Sequence, residues 1–436
     1  MVNFMSFYEP QYREYKLGTK LDFSKIKYNI INYFEYGISE PENEFAWFSE
    51  KEATLSFEFL CDNQVIKGVF DIVSIFQGEQ KVKIFANDIL VFDNVVKNIG
   101  PLEVVFPKPH DGKVCLSFEF PDAESPFNLG ISDDKRELSL CVKSLIFEKF
   151  NPTSLDIGTS VAFSKQLIKN SKNFNDYLIF GLSESENKGT WTNGNNISFA
   201  IKFTKGDIIV YFNLKLLAIF NEKQSVQIYA NGKRVFDKIV TNLDDISFVF
   251  FIPKTCDVIF NIKLCDAKSP KSLGIGSDSR VLGLMLESLY FNEVMLPSYD
   301  LKTEIFAKKN NFSLKPYVFL GLSFVEKEYT WTLGKQLIFG AKIVNYKNGE
   351  KLKVRIFLKG VFNGVQEVLI SVFSKKVFLG KIDDDIKEIN FNIEKLESND
   401  LILVFFMPNA TSPNSFNPND EDKREVSLKI EKILIE

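Results

Sequence analysis

The chain has a single histidine, His110, and lacks the compact motifs on which many catalytic sites are built. One imidazole excludes a zinc site made of several histidines and confines an imidazole base to one part of the chain. No Gly-x-Ser-x-Gly elbow, phosphate-binding loop or complete dinucleotide fingerprint is present. Two carboxylates could still meet in space to hydrolyse a glycan, but 57 acidic residues single out no pair. The sequence therefore nominates no catalytic residue, metal ligand or cofactor.

Cysteines and long apolar runs are also scarce. An odd number of cysteines, five, without a Cys-x-x-Cys pair is not typical of a disulfide framework. No stretch approaches the roughly 18 apolar residues of a membrane-spanning helix. The N-terminal residues have neither the basic start nor the apolar run of a signal peptide. We therefore expect a reduced, cytoplasmic protein; association with the membrane periphery or the cell surface, through export without a cleaved signal, is the alternative.

Charge is nearly balanced, with 53 basic and 57 acidic residues and a net charge of −4. The basic residues are scattered, so the sequence has no patch for nucleic acid, and we exclude that class of partner. Two acidic runs, 383–385 and 420–422, lack the spacing of an EF-hand loop. We interpret them as solvated turns and not as calcium sites.

A threefold internal repeat is the most informative positive feature. The three tryptophans, Trp47, Trp191 and Trp331, each lie ten residues after a glycine that is followed two residues later by a serine. A rare residue placed so regularly indicates one module used three times. Proline interrupts the strand-like sequence pattern near 151–152 and 296–297. These interruptions predict domains at 1–150, 151–296 and 297–436.

Within each module the hydrophobic pattern has a period of two. Apolar and polar residues alternate over 54–59, 197–203 and 388–393, as in strands with one buried face. Asn231-Gly232 lies between two such alternating segments and predicts a type I′ hairpin turn. Many short strands separated by turn signals predict an all-β fold of three tandem antiparallel β-sandwiches of jelly-roll type.

A loop near the end of each module carries the sharpest motif. Ser125-Pro126 leads through Leu-Gly-Ile to Asp134 and Arg136, and the second module repeats this spacing from Ser-Pro to Asp278 and Arg280. The third copy, which ends in Asp422 and Arg424, has one extra residue and no glycine, so its loop must run differently. Serine-proline and glycine are interpreted as determinants of the backbone path.

These two motifs, Gly-x-Ser…Trp-(Ser/Thr)-x-Gly and Ser-Pro-x-x-Leu-Gly-Ile-x-x-Asp-x-Arg, resemble β-sandwich, carbohydrate-binding-like accessory domains of bacterial glycosyltransferases that assemble surface polysaccharides such as capsule or lipopolysaccharide. The resemblance is most complete in the second module, lacks the glycine after Trp47 in the first, and is partial in the third. No glycosyltransferase catalytic domain is present in these 436 residues. The resemblance therefore implies the accessory role and not transferase activity.

For each motif a binding role stands beside a structural one. The tryptophans could stack on a pyranose ring, or they could pack in the core or at the rim of the sandwich. The Asp–Arg pairs could hold sugar hydroxyls or a carboxylate, or they could pin their own loop. The candidate carbohydrate-binding residues are Trp47, Asp134, Arg136, Trp191, Asp278, Arg280, Trp331, Asp422 and Arg424, with the second module expected to bind best.

The leading functional hypothesis is a non-catalytic protein that recognises glycans or acts as a scaffold in bacterial surface-polysaccharide biosynthesis. Its expected partners are a glycan or polysaccharide and a glycosyltransferase or other assembly protein. A protein–protein adaptor for a glycosyltransferase complex is the first alternative, and it predicts an exposed apolar patch. A glycan-active enzyme, either a transferase or a hydrolase, is the second; it would need converging acids, or His110, in a cleft.

Overall fold

The computed structural model describes residues 11–61, 65–109, 111–165, 171–347, 349–396 and 398–436. Its strands form three pairs of sheets, and each pair uses one continuous stretch of the chain. The predicted all-β fold of three tandem sandwiches is therefore confirmed. His110, the one imidazole of the sequence, lies outside the described residues.

The first module contains β1 to β11. Their bounds are Arg13–Tyr15, Lys20–Asp22, Phe34–Tyr36, Ala46–Trp47, Glu52–Phe59, Val65–Ile75, Gln80–Ala86, Ile89–Val96, Gly100–Pro107, Lys113–Glu119 and Leu140–Lys149. The second module contains β12 to β23. Their bounds are Ser154–Leu155, Ser160–Ala162, Lys172–Asn173, Leu178–Phe180, Thr190–Trp191, Asn196–Phe203, Ile208–Ile219, Gln224–Ala230, Lys233–Val240, Ile246–Ile252, Asp257–Leu264 and Leu284–Glu293.

The third module contains β24 to β35. Their bounds are Ser298–Asp300, Ile305–Phe306, Val318–Leu320, Leu322–Val325, Thr330–Leu333, Gln336–Val344, Leu352–Val361, Val365–Val372, Lys375–Asp383, Glu388–Ile393, Asp400–Phe406 and Val426–Ile435. Helices are short: α1 at Pro413–Phe416 and 3-10 turns at Asn29–Asn32, Phe76–Gly78, Phe174–Asp176 and Lys315–Tyr317. Within the described ranges, no helix has the length and apolar character to cross a membrane.

The strand order is that of a jelly roll. In the second module, β13-β23-β18-β21 form one sheet and β17-β22-β19-β20 the other, so consecutive strands wrap around both sheets. The first and third modules repeat this order. Some strand pairs depart from the predicted antiparallel pairing. The opening strands β1, β12 and β24 each pair in parallel with the first long strand of their module, and β13 pairs in parallel with β14. An alternating pattern predicts which face of a strand is buried but not which neighbour it pairs with.

The predicted hairpin turn is present. Asn231 and Gly232 have φ of +47° and +76°, as a type I′ turn requires. The turn also lies where modules meet: Arg234, just beyond it, forms an ion pair of 3.0 Å with Glu425 of the third module. A Cβ at position 232 would lie 3.3 Å from Ile89 of the first.

Sheets of neighbouring modules pack face to face. Val65 and Val105 of the first module contact Ala200 and Ile259 of the second. A larger apolar cluster joins the second module to the third: Ile209, Val249, Val294, Ile338, Ile402 and Val404. The six sheets therefore stack in one row, held together by buried apolar surface.

The two end sheets of this row carry charged pairs on their outer faces. On the first sheet, Lys83 and Glu119 point away from the core and pair at 3.2 Å. On the last sheet, Arg355 and Glu388 pair at 2.8 Å in the same way. Charged side chains thus occupy the ends of the row, while apolar ones occupy the joints between modules.

Candidate functional site

The three tryptophans lie half-buried on the outside of the second sheet of each module. Each pairs in register with one residue of the last strand: Trp47 with Cys141, Trp191 with Met285 and Trp331 with Lys429. The neighbours of these partners along the last strand point into the core, so the tryptophans point away from it. Of the two structural positions considered from sequence, the structure therefore shows the rim and not the core.

The surroundings of the indole rings differ between modules. In the third module the Lys429 ammonium lies over the Trp331 ring, 4.9 Å from its centre, and Phe362 meets the ring edge-on at 6.0 Å. In the second module Met285 takes the place of this lysine, and Phe220 meets Trp191 edge-on at 6.3 Å. A cation over an indole face occupies the surface that a sugar would use. Trp191 is therefore better placed than Trp331 to stack on a ligand.

A buried glutamine supports this rim in every module. Its side-chain amide donates a hydrogen bond to the carbonyl of the phenylalanine four residues earlier: Gln80 to Phe76, Gln224 to Phe220 and Gln366 to Phe362. In the second and third modules that phenylalanine is the one that contacts the tryptophan. Sequence reasoning missed these glutamines, although Phe-x-x-x-Gln recurs at the module spacing.

The glycine ten residues before each tryptophan fixes the position of its strand. Gly181 has a φ of +101°, and a Cβ there would lie 2.1 Å from the carbonyl oxygen of Asn196. Its own carbonyl accepts the amide of Asn193, and Ser183 donates its amide to the carbonyl of Trp191 at 2.9 Å. Only glycine tolerates both this backbone angle and this close approach.

All three predicted Asp–Arg pairs are formed inside their own loops. Asp278 accepts hydrogen bonds from Nε (3.0 Å), Nη2 (2.7 Å) and the backbone amide (2.9 Å) of Arg280. The Asp134–Arg136 and Asp422–Arg424 pairs repeat this arrangement. Hydrogen bonding to Arg424 lowers the pKa of Asp422 to about 2. The aspartates thus hold the loop and the arginine in place, while ligand binding by either residue stays a prediction.

The first two Ser-Pro loops share one backbone path and the third takes another, as the sequence predicts. Gly130 and Gly274 both have a φ of +70°, as the glycine in the motif implied. The third loop runs differently and forms α1, yet it closes with the same bond: the Asn414 amide donates to the carbonyl of Asp422, as Lys271 does to Asp278. The arginine therefore has the same position in all three modules despite the extra residue.

A glutamate five residues before each tryptophan completes the arrangement, and sequence reasoning missed it. Arg280 approaches Glu186 at 4.0 Å, and Arg136 approaches Glu42 at 3.5 Å. In the third module the pKa of Arg424 is raised mainly by its hydrogen bond to Asp422 and also by the charge of Glu326. The constant spacing of Glu42, Glu186 and Glu326 to the tryptophans is the signal that could have identified them.

In the second module these residues border an open cavity of about 560 Å³. Its lining includes Lys165, Glu184, Glu186, Lys188, Arg280 and Met285. Trp191 and Asp278 do not line it; Trp191 lies beside it through its pairing with Met285. We call this space the module-2 cavity. Its volume is within the range of roughly 300–1,000 Å³ that is typical of small-ligand sites.

The two acidic runs make contacts within their own turns, and Asp384 also accepts the amide of Val361 at 2.9 Å. Asp383 accepts the amides of Asp385 and Ile386, and Asp420 accepts the amide of Asp422. These are the bonds of ordinary turns. Within the described ranges, no group of three or more histidine, cysteine, aspartate or glutamate side chains is placed to hold a metal ion.

No protein-family model and no curated protein matches the chain. Solved structures to which it is similar include the tandem CBM22 domains of Xyn10C from Paenibacillus barcinonensis, at 9% identity and a TM-score of 0.20 over 57% of this chain and 86% of that one. A triple jelly roll protein of the turret of an archaeal virus aligns at 9% identity and a TM-score of 0.26, over 97% and 98%.

A third similar structure is the M60 catalytic domain of ZmpB from Clostridium perfringens with its two CBM51 domains. It aligns at 9% identity and a TM-score of 0.17 over 80% of this chain and 52% of that one. At such low TM-scores these similarities carry no conclusion about what this chain binds. The functional argument therefore depends on the residues of the chain itself.

Proposed function

We propose that this chain is a non-catalytic glycan-recognition or scaffolding protein of bacterial surface-polysaccharide biosynthesis, with domains at 1–150, 151–296 and 297–436 and a cytoplasmic location. The observation that carries the proposal is the module-2 cavity, which has an arginine held by Asp278 on one side and the half-buried Trp191 beside it. A fixed polar donor next to an aromatic face is the combination that binds a sugar, through its hydroxyls and its apolar C–H surface.

The repeat supports binding to a polymer. Each module presents a tryptophan and an Asp–Arg pair at equivalent positions, although Lys429 covers the ring of Trp331, and the modules are joined through buried contacts. A repeating polysaccharide that reaches more than one of these positions would be bound more tightly than any single unit. The glycan, and through it a glycosyltransferase of the assembly pathway, are the partners of this proposal.

The direct test is binding of the full chain to an array of bacterial surface polysaccharides, followed by titration of the best ligand. We expect Trp191→Ala to weaken binding at least about tenfold, which corresponds to 1.4 kcal/mol. Trp331→Ala is the matched control, because Lys429 already covers that ring. Circular dichroism would verify that both variants are folded. Equal affinity of Trp191→Ala and the unmodified chain would refute the assignment of this residue.

The adaptor alternative is favoured by one observation. Phe127, Leu129 and Ile131 on the Ser-Pro loop of the first module are 50%, 42% and 66% exposed. Three such side chains on one loop are a small apolar patch of the kind used in protein contacts. If the adaptor function is correct, changing all three to serine should abolish co-elution of the chain with a purified surface-polysaccharide glycosyltransferase and leave glycan binding intact.

A further inference from the structure

One position in the module-2 cavity reverses its charge relative to the other modules. Three residues before the tryptophan, the second module has Lys188, whereas the first has Glu44 and the third has Glu328. Glu44 approaches Lys143 at 3.5 Å, and Glu328 approaches Lys359 at 4.0 Å. In the part of the chain that the structure describes, Lys188 has no acidic group within 4.0 Å. Lys188 therefore makes no ion pair among these residues, although Glu184 and Glu186 line the same cavity.

The guanidinium of Arg280 also has a donor to spare. Asp278 takes up Nε and Nη2, as described above. In the third module the remaining nitrogen, Nη1 of Arg424, donates to Ser323 Oγ at 2.8 Å. In the second module the nearest acidic oxygen to Nη1, on Glu186, is 4.0 Å away, which is too far for a hydrogen bond. Among the described residues Nη1 of Arg280 has no acceptor, although it carries N–H groups beside the cavity.

A third cation lines the same space. Lys165 follows a Phe-Ser dipeptide near the start of the module. It makes no ion pair with any residue that the structure describes. The cavity lining has three cationic side chains and two carboxylates, Glu184 and Glu186, while Asp278, outside the lining, pairs with Arg280. Two of the cations are unpaired and the third has a free donor, so an anion placed here would gain attraction without breaking an existing bond.

From this arrangement we infer that the module-2 cavity binds an acidic sugar, with its carboxylate against Lys188 and Nη1 of Arg280 and its ring towards Trp191. The inference rests on the proposed glycan-binding function and adds its ligand class, a uronic-acid-type residue of a polysaccharide. Lys188 is then the residue that sets the preference for acid over neutral sugars, because the other two modules have glutamate at this position. A glutamate there would repel a carboxylate.

The test titrates the full chain with three uronate oligosaccharides, made of galacturonate, glucuronate and mannuronate, and with the carboxyl-reduced neutral form of each. We expect at least one acidic oligosaccharide to bind ten times or more as tightly as its reduced form. Lys188→Glu should remove this preference, Lys188→Arg should keep it, and added salt should diminish it. Lys263→Glu, an exposed charge reversal on the opposite sheet of the module, is the matched control.

The outcomes separate this inference from the function on which it rests. Equal binding of acidic and reduced forms, or a preference that survives Lys188→Glu, overturns the acidic-sugar assignment. Binding of a neutral polysaccharide on the array with no binding of any uronate overturns it as well and leaves glycan recognition standing. Absence of binding to every glycan tested overturns both proposals.

Discussion

The strongest quantitative prediction concerns Gly181, the glycine that fixes the strand of Trp191. An alanine Cβ at this position would lie 2.1 Å from the carbonyl oxygen of Asn196. An ordinary carbon–oxygen contact is about 3.3 Å, so the two backbone segments would have to separate by roughly 1.2 Å. The matched control is Gly194, whose φ of +103° is nearly the same as the +101° of Gly181 but whose Cβ would meet nothing within 4 Å.

The two substitutions share the cost of a left-handed backbone and differ in the clash. The backbone cost is about 1–2 kcal/mol for a residue with a Cβ. Overpacking against a fixed neighbour adds about 1–3 kcal/mol. We therefore expect Gly194→Ala to lower the free energy of unfolding by about 1–2 kcal/mol and Gly181→Ala by about 2–5 kcal/mol. Gly181→Ala should also weaken glycan binding, because it displaces the strand of Trp191.

The assay uses the fact that each module has one tryptophan. In a background of Trp47→Phe and Trp331→Phe, the fluorescence of Trp191 reports on the second module during urea unfolding. This matters because a chain of three modules need not unfold in one step. If Gly181→Ala and Gly194→Ala unfold at the same urea concentration, the close approach to Asn196 is not a constraint, and our account of this glycine is wrong.

Two further predictions concern the third module and its joint. The pKa of the Asp422 carboxyl should be about 2, because Arg424 stabilises the charged form. The stability gained from this pair is then fully present above pH 4 and is lost as the pH falls through about 2. A carboxyl NMR titration measures the pKa directly, with Arg424→Ala as the control that should restore an ordinary value. At the joint, Ile338→Ala should cost about 2–5 kcal/mol, because Ile338 is fully buried, whereas Arg234→Ala should cost at most about 1 kcal/mol, because its ion pair is exposed.

Each of these predictions would be refuted by a specific result. A pKa near 4 for Asp422 would mean that the loop does not hold its arginine in solution as the structure shows. If urea unfolding shows a larger loss for Arg234→Ala than for Ile338→Ala, polar contacts and not apolar burial hold the modules together.

The sequence predicted the fold well because its signals were local. Alternation over 197–203 places Phe199 and Ile201 in the core, and Asn231-Gly232 predicts its own turn. The parallel pairing of β12 with β17 could not be predicted, because the paired residues are 48 positions apart and no local pattern indicates the partner. Long-range pairing is decided by the packing of the whole sandwich.

The candidate site was predicted only in part, because some of its residues are far apart in the sequence. Asp278 and Arg280 are two residues apart, so their pairing could be anticipated as a loop contact. Glu186 and Lys188 come from a different loop, nearly 100 residues away, and only the fold brings them to Arg280. Whether Trp191 lay at the core or at the rim was also undecidable from its spacing, because both positions would recur in every copy.

The charged pairs on the outer faces of the first and last sheets disfavour end-to-end stacking of separate copies of this chain. Neighbouring sandwiches join face to face through apolar patches, and a second copy of the chain stacked on either end in the same way would need an apolar face there. It would have to bury the Lys83–Glu119 pair or the Arg355–Glu388 pair, and taking such pairs out of water costs several kcal/mol per ion. Stacked repeats of this kind need polar end surfaces to avoid open-ended association. The charged outer faces are therefore poorer surfaces for face-to-face stacking than the apolar faces at the joints.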